Sequence, residues 1–333
     1  MKPVALVTGE VSPYRQEPFR MLDEAEGIEV IARARDGELE AAQRTRPGRY
    51  RAVIHGLGGR VSLPATYVAA RRSSIPFVLW ASLWAHPRSP AHLVSWLPTR
   101  HLYRRADAVV TYGPHVSRYV ERYRGTRGDV FEAPQAVSAA EFGTQVQPKR
   151  LTDGFELLFV GRLEREKGIR TLLEAWRLAA LGDGATLVLA GTGPVEPEGP
   201  GIKALGHVPR DRLPALYAGA DALVLPSIRT ATFLEPWGLV VNEAMHQGTP
   251  VIASDAVGAV AGGLVRDGRN GLISPAGDAR ALATRIQALA ADSGLRDRLG
   301  AAAHDDVQAF TEDAWVAGMR SALAAVGASR ERA

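Results

Sequence analysis

The sequence predicts an α/β protein of two doubly wound domains, each built on a parallel sheet. Three observations predict it. The chain has 333 residues, more than one hydrophobic core usually organises. Short β-branched runs alternate with stretches of helical period, the pattern of strand, helix and parallel strand. The alternation is interrupted once, by GTQVQPKRLTDG at 143–154, whose polar and turn-forming residues read as a linker.

Taken in order, VALVT (4–8), IEVIA (28–32), AVIH (52–55), FVLWA (77–81), AVVTY (108–112) and DVFEA (129–133) are the first set of strands. ELLFVG (156–161), TLVLAG (186–191), IKALG (202–206), ALVLPS (222–227) and PVIAS (250–254) are the second set. Helical stretches separate most of them, and FTEDAWVAGMRSALAAV (310–326) is helical by period. Ligands of such sheets sit at the carboxyl ends of the strands, so the loops there are where function is sought.

Composition narrows the class. With 46% apolar and 23% charged residues the chain is globular. It has no cysteine, which excludes disulfides and thiolate metal sites and fits a reducing compartment. The opening MKPVALVTGE has an apolar run too short for a signal peptide, and no stretch is long and apolar enough to span a bilayer; a cytoplasmic location is expected. Only four of the 40 basic residues are lysines, so a lysine here is a rare event. Charge is uneven. Residues 1–150 carry 22 basic and 14 acidic side chains, and residues 58–128 carry 11 arginines against Asp107 and Glu121 alone. A basic face of this kind serves anionic substrate, anionic lipid or nucleic acid, or is a solvated arginine-rich surface.

One loop, GRLEREKG (161–168), follows a strand and precedes a helix. It lacks the Gly-Lys-Ser/Thr of a P-loop, yet Arg162 and Lys167 bracket a strand-to-helix turn whose amides and helix dipole favour an anion. Pairing with Glu164 and Glu166 on the surface is the other reading. Further on, LEPWGLVVNEAMHQGTPVIAS (234–254) holds Glu235 and Glu243 eight positions apart. Pro236 blocks helix before Gly238, a short helix runs from Leu239 to Gln247, and Gly248 closes it. A phosphate at that helix N-terminus has Glu235 to one side and Glu243 to the other, about one turn apart. Carboxylates accept vicinal hydroxyls well, so a nucleotide sugar fits, sugar at Glu235 and ribose at Glu243. A dipole-satisfying Glu235 and a surface Glu243 are the alternative.

The second half resembles the retaining family-4 glycosyltransferases with the GT-B fold. FVGRLEREKG, LVLAGTGP, GHVPRDRLPALYAGADALVLPS, EPWGLVVNEAMHQGTPVIAS and VRDGRNGLISPAGD carry the resemblance, in family order. It implies two Rossmann-like domains flanking an inter-domain cleft: an acceptor-binding domain at 1–148, a donor-binding domain at 149–309, and a tail at 310–333 crossing back to the first. It implies further that Gly161, Arg162 and Lys167 hold the donor diphosphate, Glu235 the sugar and Glu243 the ribose. Trp237, Gly238, Leu239 and Val240 then face sugar or phosphate, and His207 and Val208 border the base. The chain departs from the family in having DAVGAVAGGLV without the acidic residue that often follows the glycines, PQAVSAAEF before the linker, and Trp237 where phenylalanine is commoner.

The first half says less. TGEVSPYRQEPF (8–19) resembles the Pro-Tyr-Arg opening of some members, placing Gly9, Tyr14 and Arg15 on the acceptor side. SLWAHP (82–87) ends a strand, and a histidine near that point contacts the donor sugar in relatives, which makes His86 the candidate. Residues 89–107 mix Trp96, Leu97, Leu102 and Tyr103 with Arg100, Arg104 and Arg105, from which contact with anionic membrane is expected.

The reading is a glycosyltransferase that moves a sugar from a nucleoside diphosphate to a glycan, lipid-linked or small-molecule hydroxyl with retention. It needs no cofactor, no metal and no nucleic acid; no Asp-x-Asp occurs. An epimerase or phosphorylase of the same architecture, or a non-catalytic partner of another transferase, is the competing reading.

Overall fold

The β-branched runs become strands buried on both faces, as parallel sheets require. The computed structural model describes residues 1–45 and 48–330. The chain divides into two units, Met1–Ala136 joined by the segment from Thr311, and Val137–Phe310.

In the first unit the order is β1 (Val4–Thr8), α1 (Pro13–Glu26), β2 (Ile28–Ala32), α2 (Arg33–Asp36), α3 (Glu38–Arg44) and β3 (Ala52–Gly56). Then come α4 (Ser62–Arg72), β4 (Phe77–Ala81), α5 (Pro90–Arg105), β5 (Ala108–Thr111), α6 (Pro114–Arg124) and β6 (Val130–Glu132). The six strands form one parallel sheet in the order β2-β1-β3-β4-β5-β6, with Val4 opposite both Ile28 and Ala52. Alternation along the strands sends Ala5, Val7, Val53, Leu79 and Val109 to one face. Val4, Leu6, Ile54, Val78 and Trp80 go to the other, where they meet α1 and the last helix.

The second unit runs α7 (Ala139–Phe142), β7 (Phe155–Val160), α8 (Ile169–Ala179), β8 (Ala185–Ala190), β9 (Ile202–Gly206), α9 (Leu213–Gly219) and β10 (Ala222–Leu225). It continues with α10 (Leu239–His246), β11 (Val251–Ser254), α11 (Gly258–Ala261), β12 (Gly271–Ser274), α12 (Ala279–Ala291) and α13 (Ser293–Val307). Its sheet is also parallel, ordered β12-β11-β10-β7-β8-β9. Leu157, Phe159, Leu187, Val224 and Ile252 pack beneath α8 and α12. β12 was not among the expected strands. α10 ends at His246, one residue before the expected Gln247. The division falls at Ala136, not within the polar segment, because Phe142 is buried 6.3 Å from the Tyr217 ring.

The last helix, α14 (Glu312–Ala325), is part of the first unit. Thr311 caps it, Oγ1 accepting from Ala314 N at 3.1 Å. Its Trp315 is fully buried, with ring centroid 5.7 Å from those of Phe19 and Trp80. No described helix is long and apolar enough to cross a membrane.

Candidate functional site

In the second unit the loops after β7, β8 and β9 enclose a cavity of about 230 Å³. Gly161, Arg162, His207 and Val208 line it, together with Gly191 and Thr192. Gly191 has to be glycine: with φ of 156°, a Cβ there would sit 1.8 Å from the Gly161 carbonyl oxygen. Arg162 is well exposed, its side chain at 58%, and pairs with Glu164 and, at 3.6 Å, with Glu166. The two surface carboxylates therefore hold the guanidinium at the cavity mouth.

Lys167 ends a single 3₁₀ turn, and the chain then enters α8 through Gly168 in the left-handed region. Its ammonium lies 2.5 Å from Glu235 Oε2 and 5.5 Å from the Phe233 ring centre. Ser227 Oγ, just past β10, donates to the same oxygen at 2.9 Å. Glu235 is only 6% exposed, so the pair is shielded from water and its mutual attraction is correspondingly strong.

Three residues on, Gly238 (φ 96°) opens α10 with no side chain capping it. A Cβ at Gly238 would meet Leu225 Cδ2 at 2.6 Å. The first-turn amides at Leu239 and Val240 thus begin at a point the backbone reaches only as glycine, and the positive end of the helix dipole lies beside the Glu235 loop. The Trp237 side chain is elsewhere. Its indole is buried, donates from Nε1 to Asn242 Oδ1 at 2.7 Å and packs on Phe310, so only its backbone is available to a ligand.

Glu243 lies on α10, 5% exposed. Tyr217 donates to its Oε2 at 2.6 Å and Arg210 Nη1 to its Oε1 at 3.3 Å. Burial pushes its carboxyl above the ordinary range, against the lowering pull of the Tyr217 hydroxyl and the Arg210 charge. Burial likewise drives the Tyr217 phenol well up, helped by the carboxylate beside it, so it stays a donor. Arg210 also pairs with Glu141 at 2.8 Å and lies 4.7 Å over the Phe142 ring. Ser227, Tyr217, Arg210 and Gly191 all stand in runs quoted above without being singled out, and no spacing within those runs marks the first three as partners of Glu235 or Glu243.

The remaining candidates are held by the first unit. His86 follows β4 and shares 2.7 Å with the His92 carbonyl through Nε2, so that nitrogen carries the proton. Gly9 follows β1, and its carbonyl accepts from Ala34 N at 2.8 Å. Tyr14 is half-buried in the first turn of α1. Arg15 is buried, with its guanidinium 4.6 Å from the Trp80 ring centre, 5.0 Å from Tyr14, 5.5 Å from Trp315 and 5.6 Å from Tyr112, and it donates to Gln135. This is a cation boxed by aromatic rings inside the first unit.

Residues 144–306 match the family model for glycosyl transferases group 1. The second unit belongs to the group 1 glycosyltransferases. Among curated relatives, the chain is 30% identical over 224 residues to a glycogen synthase of Mycobacterium tuberculosis, which uses 64% of this chain and 51% of that protein. The chain thus spans about half the length of that relative. It is 29% identical over 316 residues to LpsE, a lipopolysaccharide core biosynthesis glycosyltransferase of Rhizobium meliloti, covering 84% of this chain and 85% of that one. Among solved structures, Anabaena HepE, crystallised with UDP and glucose, superposes with a TM-score of 0.73 at 18% identity, covering 97% of this chain and 100% of that chain. The fold of the chain is GT-B.

Proposed function

We propose that the protein is a retaining glycosyltransferase of family 4 that uses a nucleoside diphosphate sugar. The observation that carries this reading is the meeting of Lys167 and Glu235, 68 residues apart in sequence, at 2.5 Å just ahead of α10. A cation, a carboxylate and a helix N-terminus converging at the carboxyl edge of a parallel sheet suit a phosphate with a polyol attached. HepE, with its UDP and glucose, supports the same ligand class.

In this reading the base enters the cavity beside His207 and Val208, and Glu243, steadied by Tyr217 and Arg210, takes the ribose hydroxyls. Arg162, Lys167 and the amides of Gly238, Leu239 and Val240 take the diphosphate, and Glu235 takes the sugar. The C1–oxygen bond to the diphosphate breaks as the acceptor oxygen bonds to C1 on the same face. The acceptor proton passes to the departing phosphate oxygen, and the charge on that phosphate is met by Lys167, Arg162 and the helix dipole without a metal. His86 and the region of Gly9 and Tyr14 serve the sugar and the acceptor, a hydroxyl of a glycan, a lipid-linked sugar or a small molecule.

Melting the protein with UDP, GDP, ADP and dTDP sugars tests this. A ligand at about 100 times its Kd adds about 2.7 kcal/mol, so one donor should stand out. Turnover of that donor should need an acceptor, persist in chelator and keep the anomeric configuration by NMR. No shift with any donor removes the reading, and donor conversion without acceptor replaces transfer with epimerisation.

A further inference from the structure

α5 presents an unusual face to water. Leu93, Val94 and Leu97 are exposed by 69%, 79% and 64%, three large apolar side chains within five residues of one helix. They recur at helical spacing with Pro90, Pro98 and His101, all exposed, and the same stripe continues into exposed Arg104 and Arg105. The sequence had pointed to Leu102 and Tyr103 as membrane-facing. Both are buried in the core of the first unit, and the outward positions are those one turn and more before them.

The surroundings of the stripe are basic. No aspartate or glutamate occurs from residue 41 to residue 106. α4 lies alongside, joined to α5 by Tyr67 Oη and His101 Nε2 at 3.4 Å and by Arg71 donating to the Arg105 carbonyl at 2.8 Å. Tyr67, Arg71, Arg105, Asp107 and Arg127 line a surface cavity of about 200 Å³ at the basic end of the stripe. Its one carboxylate is engaged: Asp107 Oδ2 accepts from Arg71 and from the Phe77 amide, both at 2.8 Å. Among the described residues no carboxylate pairs with Arg104, Arg105 or Arg127.

We propose that this face of α5 docks on an anionic lipid bilayer, with Leu93, Val94 and Leu97 entering the acyl boundary and the arginine-lined cavity taking a phosphate-bearing headgroup. Apolar insertion and basic attraction are each weak alone and add when they share one surface. The face is independent of which donor the second unit uses.

Cosedimentation with vesicles of pure phosphatidylcholine, and of phosphatidylcholine with a quarter phosphatidylglycerol, tests the proposal. The protein should partition to the anionic vesicles alone, and less as salt rises. Leu93→Asn with Leu97→Asn should weaken partitioning about tenfold or more, since two inserted side chains return to water. Arg104→Gln with Arg105→Gln should weaken it about 25-fold, from roughly fivefold per arginine. All four positions are exposed, so melting temperatures should stay at the wild-type value. Equal partitioning to neutral and anionic vesicles, none to either, or full binding by the asparagine pair overturns the proposal. So does concentration-dependent dimerisation in free solution that the asparagine pair abolishes, which would assign the face to a second copy of the chain.

Discussion

Replacing one glutamate of the pair at a time separates the two halves of the donor. Glu243→Ala is the less informative change, because it leaves the Tyr217 hydroxyl and Arg210 without their buried carboxylate and costs about 3–5 kcal/mol of stability. Glu243→Gln keeps the volume and a partner for Tyr217 while removing the charge. If the carboxylate holds the ribose, a lost charge-assisted hydrogen bond is about 1.5–3 kcal/mol, or a rise of roughly 10- to 150-fold in the Kd of UDP. Glu235→Gln should behave in the opposite way. Glu235 occupies Lys167 at 2.5 Å, so its neutralisation releases the ammonium to the diphosphate, and UDP should bind as well as before or more tightly. If Glu235 faces the sugar, on which positive charge develops, turnover should instead fall by about 10²-fold, about 2.7 kcal/mol of transition-state stabilisation. Calorimetry with UDP and steady-state rates with the full donor read both quantities. Equal losses of UDP affinity in the two variants, or no loss in either, would refute the division of sugar and ribose between them.

Lys167→Ala should depress turnover by about 10²-fold or more and weaken UDP binding by calorimetry; unchanged kinetics would leave Lys167 a purely structural partner of Glu235. Gly238→Ala, forced to φ 96° with its Cβ 2.6 Å from Leu225, should lower stability by about 1–3 kcal/mol in a thermal melt and shift the first turn of α10 enough to cut UDP affinity. Burial holds His55 and His246 at about 4, below the ordinary 6.5, so the unfolded chain takes up protons first; their contribution is full above pH 6.5 and is lost as pH falls toward 4, by up to about 3 kcal/mol each. Melts at pH 7 and pH 4.5 should therefore converge for His55→Gln and His246→Gln relative to the wild type, and an unaltered pH slope in both would overturn the assignment.

What was legible in the sequence was whatever depends on local pattern. Strand runs such as VALVT and FVLWA announce themselves because a strand buried on both faces has no polar alternation to disguise it. The run GLIS of β12 is short, flanked by glycine and a nearby proline, and depends on pairing with β11 for its existence. The two glutamates, Lys167 and Gly238 could be picked out because loop chemistry and lysine rarity single them out. Their partners could not, since Tyr217 and Ser227 reach them only through the sheet. Arg15 shows the same limit from the other side. A cation after a Pro-Tyr pair reads as a ligand group until Trp80, Tyr112 and Trp315, distant in sequence, are seen to surround it.

The placement of α14 bears on how the chain is made. Strands β1 to β6 leave the ribosome first, yet Trp315, Met319 and Leu323, which cover Val4, Leu6 and Ile54, are synthesised only after the whole second unit. At about 5–20 residues per second that interval is roughly ten to forty seconds. Through that interval the part of the first sheet's apolar face that α14 covers stays open, whereas the later, contiguous unit has every residue it needs once Phe310 is made. The nascent amino-terminal half therefore waits longest with apolar surface uncovered, and the order in which the two units are translated is the reverse of the order in which they can be completed.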